Sequence, residues 1–220
     1  MKTTSVFDII GPRMVGPSSS HTAGAARIGL VANKLASGSI DKAHITLYGS
    51  FAQTGRGHGT DKAIAAGLLG VEPNNASLRY AMLLAEGAGA SITISYSSDE
   101  CEHPNTARID FETKQGKKYS LLGQSIGGGN IKIVEVNGME VEFSGNYPTL
   151  IVFYNDVPGV ITKVTSLLSL EGINVAFMKV FRSARRMNAC MIIETDAPID
   201  DALLWQINEC DPTIAEVCSI

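Results

Sequence analysis

The chain has 220 residues, 45% hydrophobic and 18% charged, and 18 basic against 22 acidic side chains leave a formal net charge of −4. This excludes a disordered chain, and without any Lys/Arg run it excludes a phosphate-backbone reader, so no nucleic-acid partner is expected. No apolar stretch reaches the roughly 20 residues of a bilayer span, and Met1 to Asp8 has neither an apolar core nor a small-residue cleavage site, so the expectation is a cytoplasmic protein with no membrane contact.

In chain order, residues 1–146 read as one mixed α/β domain. Thr22 to Ala36 predicts a helix with Ala25, Ile28, Gly29, Ala32 and Leu35 on one side. The small residues Ala25, Gly29 and Ala32 let another backbone come close, although Gly29 itself weakens the helix. Ala43 to Tyr48 alternates as a strand, Thr60 to Leu69 is a short helix ended by Gly70, and Leu78 to Glu86 is another. Strands follow at Ser91 to Tyr96, Thr106 to Glu112 and Lys118 to Gln124. Ile131 to Val136 and Met139 to Phe143 make a hairpin, because Asn137-Gly138 between them is the type I′ signature. Gly127-Gly128-Gly129-Asn130 is explained by a bulge or a docking edge.

Residues 148–220 have a different texture. Thr149 to Tyr154 is a β-rich run between Pro148 and Asn155-Asp156-Val157-Pro158-Gly159. Pro158 suits the first turn of a helix. Val160, Ile161, Val164, Leu167 and Leu168 then give an amphipathic pattern, and Gly172 suits a left-handed C′ position. Ile173 to Phe181 is a strand, Ser183 to Arg186 turns, and Met187 to Thr195 returns. Pro198-Ile199-Asp200-Asp201 opens a helix to about Asn208, and Ile214 to Cys218 is a last strand. The order β-α-β-β-α-β is the ferredoxin-like unit, so the fold class is α/β in the α+β sense. A unit of about 70 residues is small for independent stability, and pairing with another copy is expected.

Three polar clusters lie in the first domain. Gly16-Pro17-Ser18-Ser19-Ser20-His21-Thr22-Ala23-Gly24 immediately precedes a helix. Hydroxyls and free amides at such a point attract anions, and a plain N-cap needs only one hydroxyl. Gly55-Arg56-Gly57-His58-Gly59-Thr60-Asp61 reads as a flexible loop in which glycines allow a ligand close approach, with Asp61 capping the next helix or orienting a ring nitrogen. Glu102-His103-Pro104-Asn105-Thr106 holds a third histidine beside a stiffening proline, while His44, at the start of a strand, is structural. Neutral imidazole accepts a proton near pH 7, so the residues alone describe anion-binding loops with candidate bases. Cys101, Cys190, Cys210 and Cys218 form no C-x-x-C pair, so no metal ligand set is expected in this chain and any iron–sulfur cluster would be ligated elsewhere.

Asp156-Val157-Pro158-Gly159-Val160-Ile161 with Gly172-Ile173-Asn174-Val175, in that element order, resembles the ACT domain over Thr149 to Ile220. The resemblance implies side-by-side association and an amino-acid effector near Asn155, Asp156, Gly159 and Asn174. The plainer alternative is that these residues only shape turns.

The S-S-S-H-T, G-H-G-T-D and H-P-N-T motifs together resemble the iron–sulfur-dependent L-serine dehydratases, above all the separate beta chain that ends in an ACT domain. That family implies deamination of L-serine to pyruvate and ammonia, with a partner alpha chain holding a [4Fe–4S] cluster. The first domain is also similar to the allosteric substrate-binding domain of some 3-phosphoglycerate dehydrogenases. The resemblance makes His58 the base for the α-proton, with His21 the second candidate. Ser18, Ser19, Ser20 and Thr22 would hold the carboxylate, with His103 and Asn105 completing the site. The competing expectations are a regulatory small-acid-binding subunit or a scaffold.

Overall fold

The computed structural model describes residues 13–184 and 187–220, so Arg185 and Arg186 of the expected turn lie outside the described residues. The chain divides into two compact units, ending and starting at Gly138 and Met139.

In the first unit a six-residue π-helical turn, Ser19–Gly24, leads straight into α1 (Ala25–Leu35). Then come β1 (Ile40–Leu47), α2 (Gly49–His58), α3 (Thr60–Leu68), a 3₁₀ turn at Ala76–Tyr80, α4 (Ala81–Ala88) and β2 (Ser91–Tyr96). Strands β3 (Thr106–Thr113), β4 (Lys118–Gly127) and β5 (Asn130–Val136) complete it. The sheet order is β2-β1-β3-β4-β5, with β1 and β2 parallel and the other neighbours antiparallel. Strand alternation sends Ala43, Ile45 and Leu47 inward, where they are buried. The polar set His44, Thr93 and Ser95 shares the opposite face, both ring nitrogens of His44 meeting hydroxyls, Nδ1 to Thr93 at 2.8 Å and Nε2 to Ser95 at 3.0 Å.

Helices α1 and α3 cross closely because each has a glycine at the contact. A Cβ on Gly29 would lie 2.3 Å from the Ile64 carbonyl oxygen, and one on Gly67 would lie 2.0 Å from that of Ala26. The small-residue face expected from Ala25, Gly29 and Ala32 therefore receives a backbone. The run Gly127 to Gly129 is a tight turn between β4 and β5, all three glycines having positive φ.

The second unit opens with β6 (Met139–Phe143) after Asn137 and Gly138, whose φ values of 52° and 75° suit the type I′ turn. Then follow β7 (Thr149–Asn155), α5 (Val160–Leu170), β8 (Val175–Arg182), β9 (Asn188–Thr195), α6 (Asp201–Glu209) and β10 (Ile214–Ser219). The sheet order β10-β7-β9-β8 with two helices is the ferredoxin-like arrangement. Its core is Leu150, Val152 and Tyr154 against Val160, Val164 and Leu168 of α5 and Leu203 and Ile207 of α6. Lys163 of α5 meets buried Asp211, beyond α6, at 2.8 Å.

Candidate active site

The site begins at the π turn. Ser18 is its N-cap, accepting the His21 amide on Oγ at 3.1 Å. Its carbonyl takes the amides of Thr22 at 2.9 Å and Ala23 at 3.4 Å, the second being the wide i+5 spacing. Such widened turns recur at functional sites. Gly24 has no Cβ because Ser125 Oγ would sit 2.1 Å from one. Ser125 thereby reaches Ser20 and donates to its carbonyl oxygen at 2.9 Å.

The Gly55-to-Gly59 run expected as a flexible loop is instead the last turn of α2 and its end. Phe51, fully buried, anchors that helix, Gly55 packs against Leu47 and Thr60, and Gly59 at φ 69° stops it. Tertiary contact has overridden the poor helix propensity of three glycines. His58 is thus held, exposed, at a helix terminus. Its Nδ1 faces the Thr54 carbonyl oxygen at 3.2 Å. A carbonyl cannot donate, so Nδ1 carries the proton and Nε2 keeps the lone pair.

His21 and His58 come together with ring centroids 5.0 Å apart. His21 Nε2 meets Ser50 Oγ at 3.1 Å, and its ring packs edge-on against Phe51. Burial lowers the His21 pKa first, the neighbouring His58 lowers it further, and the Ser50 backbone acts the other way. Two adjacent imidazoles disfavour a second charge.

The third motif is pinned to the start of the same helix. Phe51 N donates to the Pro104 carbonyl oxygen at 3.3 Å, and Gly49, at φ 51°, leaves room for Pro104 where a Cβ would be 2.6 Å from that oxygen. His103 Nδ1 accepts the Asn105 amide at 3.2 Å, so a proton on the neutral ring sits on Nε2. Asn105 Nδ2 donates to the Ser125 carbonyl at 3.4 Å, and buried Asn105 Oδ1 has no partner among the described residues.

Several expected residues have other neighbours. Thr22 is buried and donates to the His58 carbonyl oxygen at 3.3 Å, where a carboxylate contact was expected. The Ser18 and Ser20 hydroxyls lie 3.5 Å apart, and Ser19 is half-buried in the same turn. Asp61 accepts from the Tyr96 hydroxyl at 3.2 Å and from the neighbouring Lys62 amide at 2.8 Å, neither of them an imidazole. Arg56 lies over the Tyr96 ring at 4.6 Å. Sequence reasoning missed Ser50, Ser125 and Thr54. Ser50, Thr54 and His58 are spaced i, i+4, i+8, which places them on one face once α2 is recognised as a helix.

In the second unit the expected effector residues are not gathered within one copy. Asn155, Asp156 and Gly159 sit before α5, whereas Asn174 follows it, and an 11-residue helix is about 16 Å long. Asn174 Nδ2 donates to Asp196 at 2.6 Å, and Asp156 accepts from Arg182 at 3.3 Å.

The family model described as serine dehydratase beta chain matches residues 5–91, and that of the ACT domain matches residues 148–210. The chain is 45% identical over 220 residues, all of it and 99% of the relative, to a probable L-serine dehydratase beta chain of Bacillus subtilis. The chain belongs to the serine dehydratase beta-chain family. It is 38% identical over 204 residues to the L-serine dehydratase beta chain of Peptoniphilus asaccharolyticus, covering 92% of each. A D-3-phosphoglycerate dehydrogenase of Synechocystis is 26% identical over 84% of this chain and 33% of its own length. The ACT domain anticipated over Thr149 to Ile220 is therefore present, matched over residues 148–210. No helix among the described residues is long and apolar enough to cross a membrane.

The cysteines do not fit an iron–sulfur cluster. Cys101 lies in the first unit and the other three in the second, and burial pushes the Cys190 thiol up to about 12. A cluster needs thiolates converging on one point. Among the described residues no three of His, Cys, Asp and Glu group to hold a metal ion.

Proposed function

We propose that this chain is the beta subunit of an iron–sulfur L-serine dehydratase, deaminating L-serine to pyruvate and ammonia together with an alpha subunit. The observation that carries this reading is the His21–His58 pair, in which His58 presents an unprotonated Nε2 at the end of a pinned helix. A [4Fe–4S] cluster held by the alpha chain's own cysteines would supply a Lewis acid for the departing hydroxyl.

The residues of this chain do the rest. His58 Nε2 takes the α-proton, and the electron pair left on Cα forms the Cα=Cβ bond as the hydroxyl leaves Cβ. The resulting aminoacrylate tautomerises to an imine, which water hydrolyses to pyruvate and ammonia. Ser18, Ser19 and Ser20 hold the substrate carboxylate at the head of the π turn. Asn105 Oδ1 accepts from the substrate ammonium, satisfying a buried atom that has no donor among the described residues. His103, with Nε2–H available, completes the pocket. The second unit self-associates and binds an effector between copies, since Asn174 reaches Asn155, Asp156 and Gly159 only across a second molecule.

A regulatory, non-catalytic reading is favoured by the similarity to a D-3-phosphoglycerate dehydrogenase. Anaerobic reconstitution with the alpha chain separates the two. On our reading serine is converted to pyruvate only when both chains are present, and His58→Ala lowers kcat about 10²- to 10⁴-fold. Full activity from the alpha chain alone would establish the regulatory or scaffold reading, whereas near wild-type kcat in His58→Ala would end the assignment of His58 as the base.

A further inference from the structure

We infer that Ser50 is a positioning residue that fixes the His21 ring with its proton on Nδ1, so that His21 serves as a hydrogen-bond donor and His58 alone serves as the base. This rests on the proposed dehydratase reading and adds to it a separate role for His21, the second candidate for the base.

The argument starts from the inventory of lone pairs. Ser50 Oγ approaches His21 Nε2 at 3.1 Å. The hydroxyl has a single proton, and among the described residues His21 Nε2 is the partner it meets. Donation from Oγ to Nε2 makes Nε2 the acceptor, and a neutral imidazole then carries its proton on Nδ1. The opposite arrangement would leave the half-buried hydroxyl proton without a protein acceptor among the described residues.

The Ser50 hydroxyl is also held where it can do this. Its residue occupies the first turn of α2, and Thr54 Oγ1 donates to the Ser50 carbonyl oxygen at 2.8 Å. His58 Nδ1 in turn donates to the Thr54 carbonyl oxygen at 3.2 Å. One helix face thus sets both rings: Ser50 acts on His21, and Thr54 acts on His58. Phe51, fully buried, packs edge-on against His21 with centroids 5.2 Å apart and limits ring rotation. The outcome is asymmetric. His58 offers a lone pair at Nε2, and His21 offers Nδ1–H, a neutral donor that suits a carboxylate and has no lone pair there to compete for the α-proton. The lowered His21 pKa keeps that ring neutral beside His58 once the base has been protonated.

The test reads the tautomer directly. The full-length chain, labelled with ¹⁵N-histidine, is observed by long-range ¹H–¹⁵N correlation at about pH 8, above the ordinary imidazole pKa of about 6.5, with His21→Gln providing the assignment. His21 is expected as the Nδ1–H form, Ser50→Ala is expected to convert it to the Nε2–H form, and Ser50→Thr is expected to preserve it. An Nε2–H wild-type ring, or a Ser50→Ala chain with an unchanged pattern, overturns the inference. In the reconstituted enzyme Ser50→Ala is expected to raise KM for serine about tenfold, one charged hydrogen bond's worth, with kcat changed less and Ser50→Thr restoring KM. A loss confined to kcat overturns the donor role. If the two chains together show no activity on serine, the dehydratase reading fails, while the ring signals of the free chain still decide the role of Ser50.

Discussion

At the scale of single residues, His21 carries a consequence that needs no substrate. Its ring is half-buried, and both burial and His58 push its pKa below the ordinary 6.5, so the folded chain resists a proton that the unfolded chain accepts. The unfolded state therefore binds more protons in the window below about pH 6.5, and stability must fall as pH falls through that window. Above it, neither state is charged and the effect vanishes. Thermal unfolding of the full chain at about pH 7.5 and about pH 5.5 is expected to show a loss of Tm on acidification that His21→Gln reduces. An identical loss in the variant would mean that other groups account for it. The sequence singled out His21, His58 and His103 as candidate bases only in combination, through the three polar clusters that carry them. Only the resemblance ranked them, with His58 ahead of His21; a physical reason needed the partners at each ring nitrogen, and those partners come from residues 29 positions away for His21 and four for His58.

Among elements, the crossing of α1 and α3 is set by two backbone-to-backbone approaches with no side chain able to give way. The contacts a Cβ would meet at Gly29 and Gly67 are carbonyl oxygens and amides, so either Gly→Ala change must separate the helices. Each is expected to destabilise the chain by about 1–3 kcal/mol, in line with overpacking elsewhere. Gly87, exposed in α4 with open space where its Cβ would go, is the contrasting case. Gly87→Ala is expected to be neutral or stabilising by up to about 1 kcal/mol, since it only removes backbone freedom from the unfolded helix. Denaturant midpoints for the three variants check this, and Gly29→Ala matching Gly87→Ala would refute the close-crossing argument.

The same elements show where a sequence stops being readable. Alternation gave β1 through β5 and the Asn137-Gly138 turn, and helical periodicity gave α1, α3 and α5, because in those segments local propensity and burial agree. Helix α2 was invisible because Gly49, Gly55 and Gly57 all oppose it locally. It is held by Phe51 in the core and by Pro104 against Gly49, contacts made with residues far along the chain. The misreading mattered for function, since a loop gives no reason for Ser50, Thr54 and His58 to face the same way.

For the whole molecule, the argument concerns the edge of the second unit. Strand β8 ends the sheet order and exposes Phe177 by 56% and Val180 by 40%, and Ile161 on α5 is 41% exposed. An unpaired edge with large apolar side chains is a template for pairing with another chain, and a single copy of a roughly 70-residue module gains most from being covered there. We therefore expect the full chain to sediment as a dimer. Val180→Asp, which puts one charge per copy on that edge, is expected to shift it to monomer while leaving the circular dichroism of the folded chain intact, and any effector binding measured by calorimetry should be lost with the dimer because Asn174 and Asn155 are separated by the length of α5. A wild-type chain that stays monomeric at about 100 μM, well above the μM dissociation constants of weak interfaces, would remove both the edge pairing and the shared effector pocket in one measurement, and would leave the second unit as a module that folds on its own core alone.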